Sequence, residues 1–362
     1  MNFSSVLSKP RGLTILFNSQ HKNIPKSVIN SHERTIFVST TKEQIKPETQ
    51  PKLNIFDRKA KIIQRERAAL SEDAEYHSYL KDEIGFRLAD RIFDIKRTFP
   101  KVLDLGCGRG HVSKHVVSDS VEELIMCDNS EILVSQATCG DSAVKTSKVV
   151  CDEENLLSVF KPDTFNMVIS NLVLHWVNDL PKCFSQVMSI LKNDGAFLGS
   201  IFGSDTLFEL RSALQLAESE RKGGISPHIS PFARPRDVGS LLTQAGFVMQ
   251  TIDTDEVVLR YRSMFDLLQE LRGMGESNSS WNRCLHLSRD TLLAASAIYE
   301  EEKNMKAVNA TFQIIYFIGW KPDPSQPQPL QRGSADMSLK DLYNLNDIVV
   351  KEGKFIKPDE DK

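Results

Sequence analysis

Short apolar runs alternate with stretches of helical spacing along most of this chain, and that alternation predicts a parallel sheet covered by helices on both faces. The runs fall at 102–105, 124–127, 149–151, 165–169 and 196–201. Between the last two, Phe184, Val187, Met188 and Leu191 recur at i, i+3, i+4 and i+7, the apolar stripe of one helix, and Lys192, Asn193, Asp194 and Gly195 end it. Upstream, Ile84, Leu88 and Ile92 fall four apart behind a basic stretch carrying Arg58, Lys59, Lys61, Arg65 and Arg67. Residues 54–97 are therefore expected to be helices leading into the sheet. After the fifth run, Leu207, Leu210, Leu214 and Ala217 predict another helix, followed by a Gly- and Pro-rich loop at 223–235. The whole of 204–236 reads as an insertion, a lid over the carboxyl edge of the sheet. A helix at 237–245, extended segments at 247–252 and 256–261, and a long aromatic strand at 311–320 close the domain at 98–321. Pro322, Pro324, Pro327 and Pro329 then end regular structure, so 322–362 reads as a flexible tail.

The amino-terminal end has a different composition. Residues 1–32 carry Lys9, Arg11, Lys22 and Lys26, many Ser and Asn, and no acid before Glu33, and 40–52 are rich in Lys, Glu, Gln, Thr and Pro. The first is transit-peptide composition and the second a linker, so 1–53 is expected to be a mitochondrial address and its spacer.

Charge removes one class of partner: 45 Lys and Arg against 48 Asp and Glu leave no positive excess to hold nucleic-acid phosphates. The six cysteines contain no C-x-x-C pair and are read as reduced thiols. The longest apolar candidate, 165–177, is interrupted by Asn166, Ser170, Asn171 and His175, too polar for a membrane span. None of the eight histidines is followed two places on by Asp or Glu, and zinc pairings are missing, so no metal ligands are assigned.

The chemistry concentrates at the ends of the runs. Asp104-Leu105-Gly106-Cys107-Gly108-Arg109-Gly110 follows the first run and is expected to lead into a helix from about His111. Glycines let a backbone approach a ligand closely, and a helix start supplies free N–H groups. The third glycine stands one place earlier than in the dinucleotide fingerprint, which gives the D-x-G-x-G-x-G pattern of S-adenosylmethionine enzymes. Asp128 ends the second run, where a carboxylate accepts ribose hydroxyls, and Asp152 ends the third, placed to accept from an adenine amino group. Asn171 ends the fourth run beside the expected position of the sulfonium methyl. The predicted cofactor set is therefore Asp104, Gly106, Gly108, Gly110, Asp128, Asp152 and Asn171. The expected fold is α/β, a Rossmann-like class I methyltransferase with a seven-stranded, mostly parallel sheet. His175, Trp176 and Asp179 next to that strand end, and His228 on the lid, are the candidate catalytic or substrate-contacting residues; a His beside a Trp at a strand end is at least as often a packed structural residue, and the lid loop either shapes a pocket or crosses a surface.

Several blocks in one order carry a further resemblance: Asn54-Ile55-Phe56-Asp57-Arg58, the glycine motif, Leu174-His175-Trp176-Val177-Asn178-Asp179-Leu180-Pro181, the loop from Ser226 to Phe232, and Gly273-Met274-Gly275-Glu276-Ser277-Asn278. Over 54–333 the chain resembles the mitochondrial complex I assembly factor 5 family, itself similar to bacterial malonyl-carrier-protein methyltransferases. The resemblance implies a matrix protein, peripheral to the inner membrane, that hydroxylates an arginine of a core iron–sulfur subunit of complex I despite its methyltransferase fold. A guanidinium needs acidic or aromatic walls, for which Trp176, Asp179, Tyr76 and Glu276 are available. Methyl transfer to a protein or carrier-protein substrate, and a non-enzymatic assembly chaperone, are the alternatives.

Overall fold

The computed structural model describes residues 54–301, 307–327, 332–334, 349–351 and 354–356, so the transit segment and linker expected at 1–53 lie outside the described residues. Seven strands form one sheet in the order β3-β2-β1-β4-β5-β7-β6. They are β1 Phe99–Leu105, β2 Val121–Asp128, β3 Lys145–Val150, β4 Phe165–Asn171, β5 Leu191–Phe202, β6 Val248–Tyr261 and β7 Val308–Trp320. β1 to β5 are parallel, and β7 runs antiparallel between β5 and β6. The order reverses between β1 and β4, which opens a crevice at their carboxyl ends, the place where α/β sheets bind ligands.

The runs of β1, β2, β4 and β5 carry apolar residues on both sides because both faces are covered there, whereas β3 lies at the exposed edge. Val102, Leu124, Met126, Met167, Ile169 and Leu198 enter one core cluster, while Leu103, Leu105, Ile125, Val168, Phe197 and Ile201 enter the other. Each such side chain contributes about 1.5–3 kcal/mol by leaving water. The first cluster is covered by α2 (Tyr79–Phe93), which buries Leu80, Ile84, Leu88 and Ile92, and by α5 (Phe208–Lys222), which buries Leu210, Ala213, Leu214 and Ala217. The second is covered by α4 (Leu180–Ile190) and α6 (Pro235–Ala245). The remaining helices are α1 (Arg58–Ala69), α3 (Glu131–Gln136), α7 (Met264–Gly273) and α8 (Arg289–Glu301).

Five expectations are corrected. No α-helix starts at His111: turns and a short 3₁₀ segment, Ser113–His115, follow the glycines. The stretch there is short and rich in β-branched residues, and Val112 and Val116 go into the core. The stretch expected as a lid is half core, since the Leu210, Leu214 and Ala217 stripe seats α5 on the sheet and leaves only 223–234 to cross it. The two extended segments are one strand, β6, with a register shift near Val248; its Asp253 and Asp255 face Arg91 and Arg87 of α2, which is why the apolar pattern broke there. α4 stops at Ile190, and Leu191 already pairs with Phe165. The tail is tied back at its start, where Gln326 Nε2 donates to Asp194 Oδ1 (2.9 Å) and Lys321 O (2.8 Å).

Candidate functional site

The glycine motif turns at the switch point. Gly106, Gly108 and Gly110 have φ of +71°, +57° and +87°, left-handed values that glycine alone takes without cost. A Cβ on Gly106 would stand 2.4 Å from Val173 Cγ1, and one on Gly110 2.5 Å from Thr138 O, so the loop admits no side chain at either place. The turn is closed by Cys107 N–H donating to Cys127 O and Gly110 N–H to Cys107 O, each at 2.9 Å. Across from it, Leu172 follows β4 with φ +49°, a strained conformation for leucine that costs on the order of 1–3 kcal/mol.

Three acids gather at the strand ends as expected. Asp104 is buried; its Oδ2 accepts from Ser113 Oγ at 2.6 Å and its Oδ1 has no partner. Burial, reinforced by Asp128 and opposed by the Ser113 bond, pushes its carboxyl up to about 7. Asp128 accepts from Gly108 N–H (3.0 Å), Ser130 N–H (3.1 Å) and the Arg65 guanidinium (2.9 Å). Asp152 accepts from Arg58 (2.7 Å) and Glu154 N–H (2.9 Å), and Arg58 also bonds the buried Glu153. Asn171 ends β4 beside them: its Oδ1 accepts from Ser200 Oγ (2.8 Å) and its Nδ2 donates to Lys81 O (3.1 Å).

The sequence reading missed the cations. Arg58, Lys61 and Arg65, a basic stretch in the sequence, project from one face of α1, Arg58 and Arg65 onto the strand-end acids and Lys61 onto Trp176. Their spacing, i, i+3 and i+7, was the available signal. Between Gly106, Gly108, Asn171, Leu172, Lys81 and Arg65 a cavity of only ≈ 40 Å³ is left, against roughly 300–1,000 Å³ for a ligand pocket. The residues nevertheless fit S-adenosylmethionine: a cradle that tolerates no Cβ, an unpaired buried Asp104 oxygen, and Asp128 at the end of β2. Over Gly108 stand the side chains of His111, with Cδ2 3.3 Å and Nε2 3.5 Å from where a Cβ would be, and of Arg65, with Nη2 at 3.6 Å.

Beside this cradle, α1, the turn after β4 and the loop after α7 converge. The Trp176 indole N–H donates to Glu276 Oε2 at 2.9 Å, and Lys81 Nζ holds Glu276 Oε1 at 2.7 Å. Burial opposes ionisation of Glu276, but Lys81, His175 and Lys61 outweigh it and hold the carboxyl well below its usual range. Lys61, 3% exposed, places Nζ 3.4 Å from the centre of the Trp176 ring and donates to Gly275 O (3.1 Å) and Ser277 O (2.7 Å). Burial, together with Lys81, Arg65 and Arg283 and against Glu276, pulls its ammonium down to about 7.

His175 lies buried among Trp176, Phe202 and Phe232, with Nε2 3.5 Å from Glu276 and neither ring nitrogen hydrogen-bonded. Burial lowers its pKa against the pull of Glu276. Asp179 stands apart: its carboxylate caps α4 by accepting from Lys182 N–H at 3.1 Å. Tyr76 is exposed and packs on His77. His228 bonds Glu218 through Nε2 at 2.9 Å and borders a ≈ 230 Å³ cavity shared with Phe232, Glu276, Asn278 and Arg283. Ser230 and the Pro227 carbonyl tie this crossing loop to Asn278 (3.1 and 2.9 Å).

The strand order and the glycine cradle at the switch point define a class I, S-adenosylmethionine-type methyltransferase fold, and residues 76–252 match the methyltransferase domain family. The chain belongs to the NDUFAF5 arginine-hydroxylase family. It is 48% identical over 304 residues to the mitochondrial arginine-hydroxylase NDUFAF5 of Mus musculus, covering 83% of this chain and 88% of that protein. It is 29% identical to the malonyl-[acyl-carrier protein] O-methyltransferase of Gallionella capsiferriformans, over 75% of this chain and 93% of that one. A solved SAM-dependent methyltransferase from Archaeoglobus fulgidus aligns at TM-score 0.40 with 15% identity, over 69% of this chain and all of that one (100%).

Proposed function

We propose that this chain binds S-adenosylmethionine and hydroxylates an arginine of a core iron–sulfur subunit of mitochondrial complex I during its assembly. It does so in the matrix, peripheral to the inner membrane, after 1–53 has addressed it there. Among the described residues no helix is long and apolar enough to cross a membrane. The observation that carries the reading is one residue shared by two sites. Lys81 accepts from Asn171 on the cofactor side through its carbonyl and pairs with the buried Glu276 through its ammonium. A cradle for a nucleoside and a buried anion against an indole are thus joined, in a chain of this family.

When bound, the cofactor supplies a sulfonium centre and an ammonium, cations that suit the unpaired Asp104 oxygen. The chain's own residues bind and position: Asp128 takes ribose hydroxyls once Arg65 leaves it, and Asn171 is fixed by Ser200 and Lys81. His175, Trp176, Phe202 and Phe232 wall the substrate side with rings that exclude water.

Peptide mass spectrometry of the complex I iron–sulfur subunits, from mitochondria with and without this chain, tests the reading. Loss of one oxygen from an arginine when the chain is removed is the expected result. The intact glycine cradle favours methyl transfer as the second reading, and loss of a methylene instead would establish it. No change in either mass would leave assembly chaperoning.

A further inference from the structure

α1 docks without an apolar stripe. Its buried residues are Lys61 and Ala69, and Ile63 is 64% exposed. This helix of twelve residues is tied down by Arg58 on Asp152 and Glu153, Lys61 on Trp176 and two carbonyls, Arg65 on Asp128, and Glu66 accepting from Ser130 Oγ. Arg58 and Arg65 thus occupy carboxylates at the ends of β3 and β2, and Lys61 occupies an aromatic face and two carbonyls.

The Lys61 position is the most telling. An aromatic face, two backbone carbonyls and a nearby carboxylate form a receptor for a cation that can lie flat on a ring and donate several N–H bonds. An ammonium has three donors on one compact head; a guanidinium has five in a plane, remains charged at any physiological pH, and loses less hydration energy on burial. The receptor suits the second better than the first. It is also one layer from the cofactor cradle, through Lys81.

We propose that the Trp176 face, with Glu276 and the carbonyls of Gly275 and Ser277, is the site for the substrate's guanidinium. Lys61 is its internal stand-in, withdrawn with α1 when cofactor and substrate bind. The proposal rests on the arginine reading above. It gives Lys61 and Arg65 a common role: one holds the substrate site, the other the ribose acceptor, and both are carried by the same helix. Burial of the Lys61 amine, crowded by Lys81, Arg65 and Arg283, already weakens it as a cation there, so a permanent cation displaces it readily.

The test uses full-length protein labelled with fluorotryptophan and saturated with S-adenosylhomocysteine. Fluorine NMR then follows N-acetyl-arginine amide and N-acetyl-lysine amide, with the Trp176 line assigned by its absence from Trp176→Phe. The expected result is that Lys61→Met tightens the arginine amide at least about tenfold, more than the lysine amide, because the competitor is gone. Lys61→Arg gives no gain, Glu276→Gln loses the binding, and hydrogen exchange across 58–69 speeds up when both ligands are present in the wild type. Equal affinity in Lys61→Met and wild type overturns the site, and unchanged exchange of α1 overturns its withdrawal. The two readings fail separately. Tight arginine-amide binding with no oxidised arginine in the iron–sulfur subunits defeats the hydroxylase reading and keeps the cation site. Oxidised arginine without any Lys61→Met effect does the reverse.

Discussion

Arg65 Nη2 lies 2.9 Å from Asp128 Oδ2, so the carboxylate expected to receive a ribose is satisfied by the chain's own guanidinium. The same oxygen accepts from Gly108 N–H, which ties α1 to the glycine turn. Asp128 is thus occupied by a side chain of α1, and a ribose can take it only where Arg65 gives it up.

Removing one partner of a buried pair costs about 3–5 kcal/mol, because the other charge stays behind. Arg65→Gln is expected to lower the melting temperature of the cofactor-free protein by several degrees. Added S-adenosylhomocysteine should then raise it further than in the wild type, since its ribose satisfies Asp128. Thermal denaturation with and without the ligand checks this, and an equal ligand shift in both proteins would speak against competition.

Gly106→Ala places a Cβ 2.4 Å from Val173 Cγ1 on a backbone with φ +71°. The expected outcome is loss of S-adenosylhomocysteine binding by calorimetry, with about 1–3 kcal/mol of destabilisation from the strained backbone.

Asp104 is protonated in the cofactor-free protein below about 7. A cationic ligand binds its ionised form better, so below that pH binding must expel a proton, and affinity falls as the pH falls. Affinity is expected to climb from pH 5.5 to about 7, by at most about tenfold per unit, and then level off. Asp104→Asn should flatten the profile and bind more weakly at pH 8. Calorimetry in two buffers of different ionisation enthalpy reads the proton directly.

Lys61 makes stability, too, depend on pH. Its folded value of about 7 lies below its ordinary 10.5, so between these pH values the unfolded chain holds more protons. Stability relative to Lys61→Met therefore rises with pH across that window, is fully restored above it, and is at its minimum below about 7. Urea denaturation of the two proteins at pH 7.5 and 9.5 is expected to show the gap closing.

The glycine turn was legible because three alternating glycines directly after an apolar run have few other uses, and the place of Asp128 at the end of β2 follows from the strand period. The edge of the sheet was less so. β3 begins at Lys145, but its first half is polar and exposed, so only 149–151 read as strand. Of the residues expected around a guanidinium, Trp176 and Glu276 meet in the structure whereas Asp179 caps its own helix, and the first meeting joins residues a hundred apart in sequence. The cations of α1 were opaque for a physical reason. Basic residues at helical spacing ordinarily mark a solvated face, and only the acids gathered by the sheet turn that face inward.

The central claim, that arginine hydroxylation depends on the cofactor cradle, is tested most directly by peptide mass spectrometry in mitochondria lacking this chain and supplied with either the wild type or Gly106→Ala at matched abundance. The account expects the wild type to restore one oxygen on an arginine of the iron–sulfur subunit, and Gly106→Ala to leave that arginine unmodified. Restoration of the oxygen by Gly106→Ala, confirmed not to bind S-adenosylhomocysteine, would contradict it.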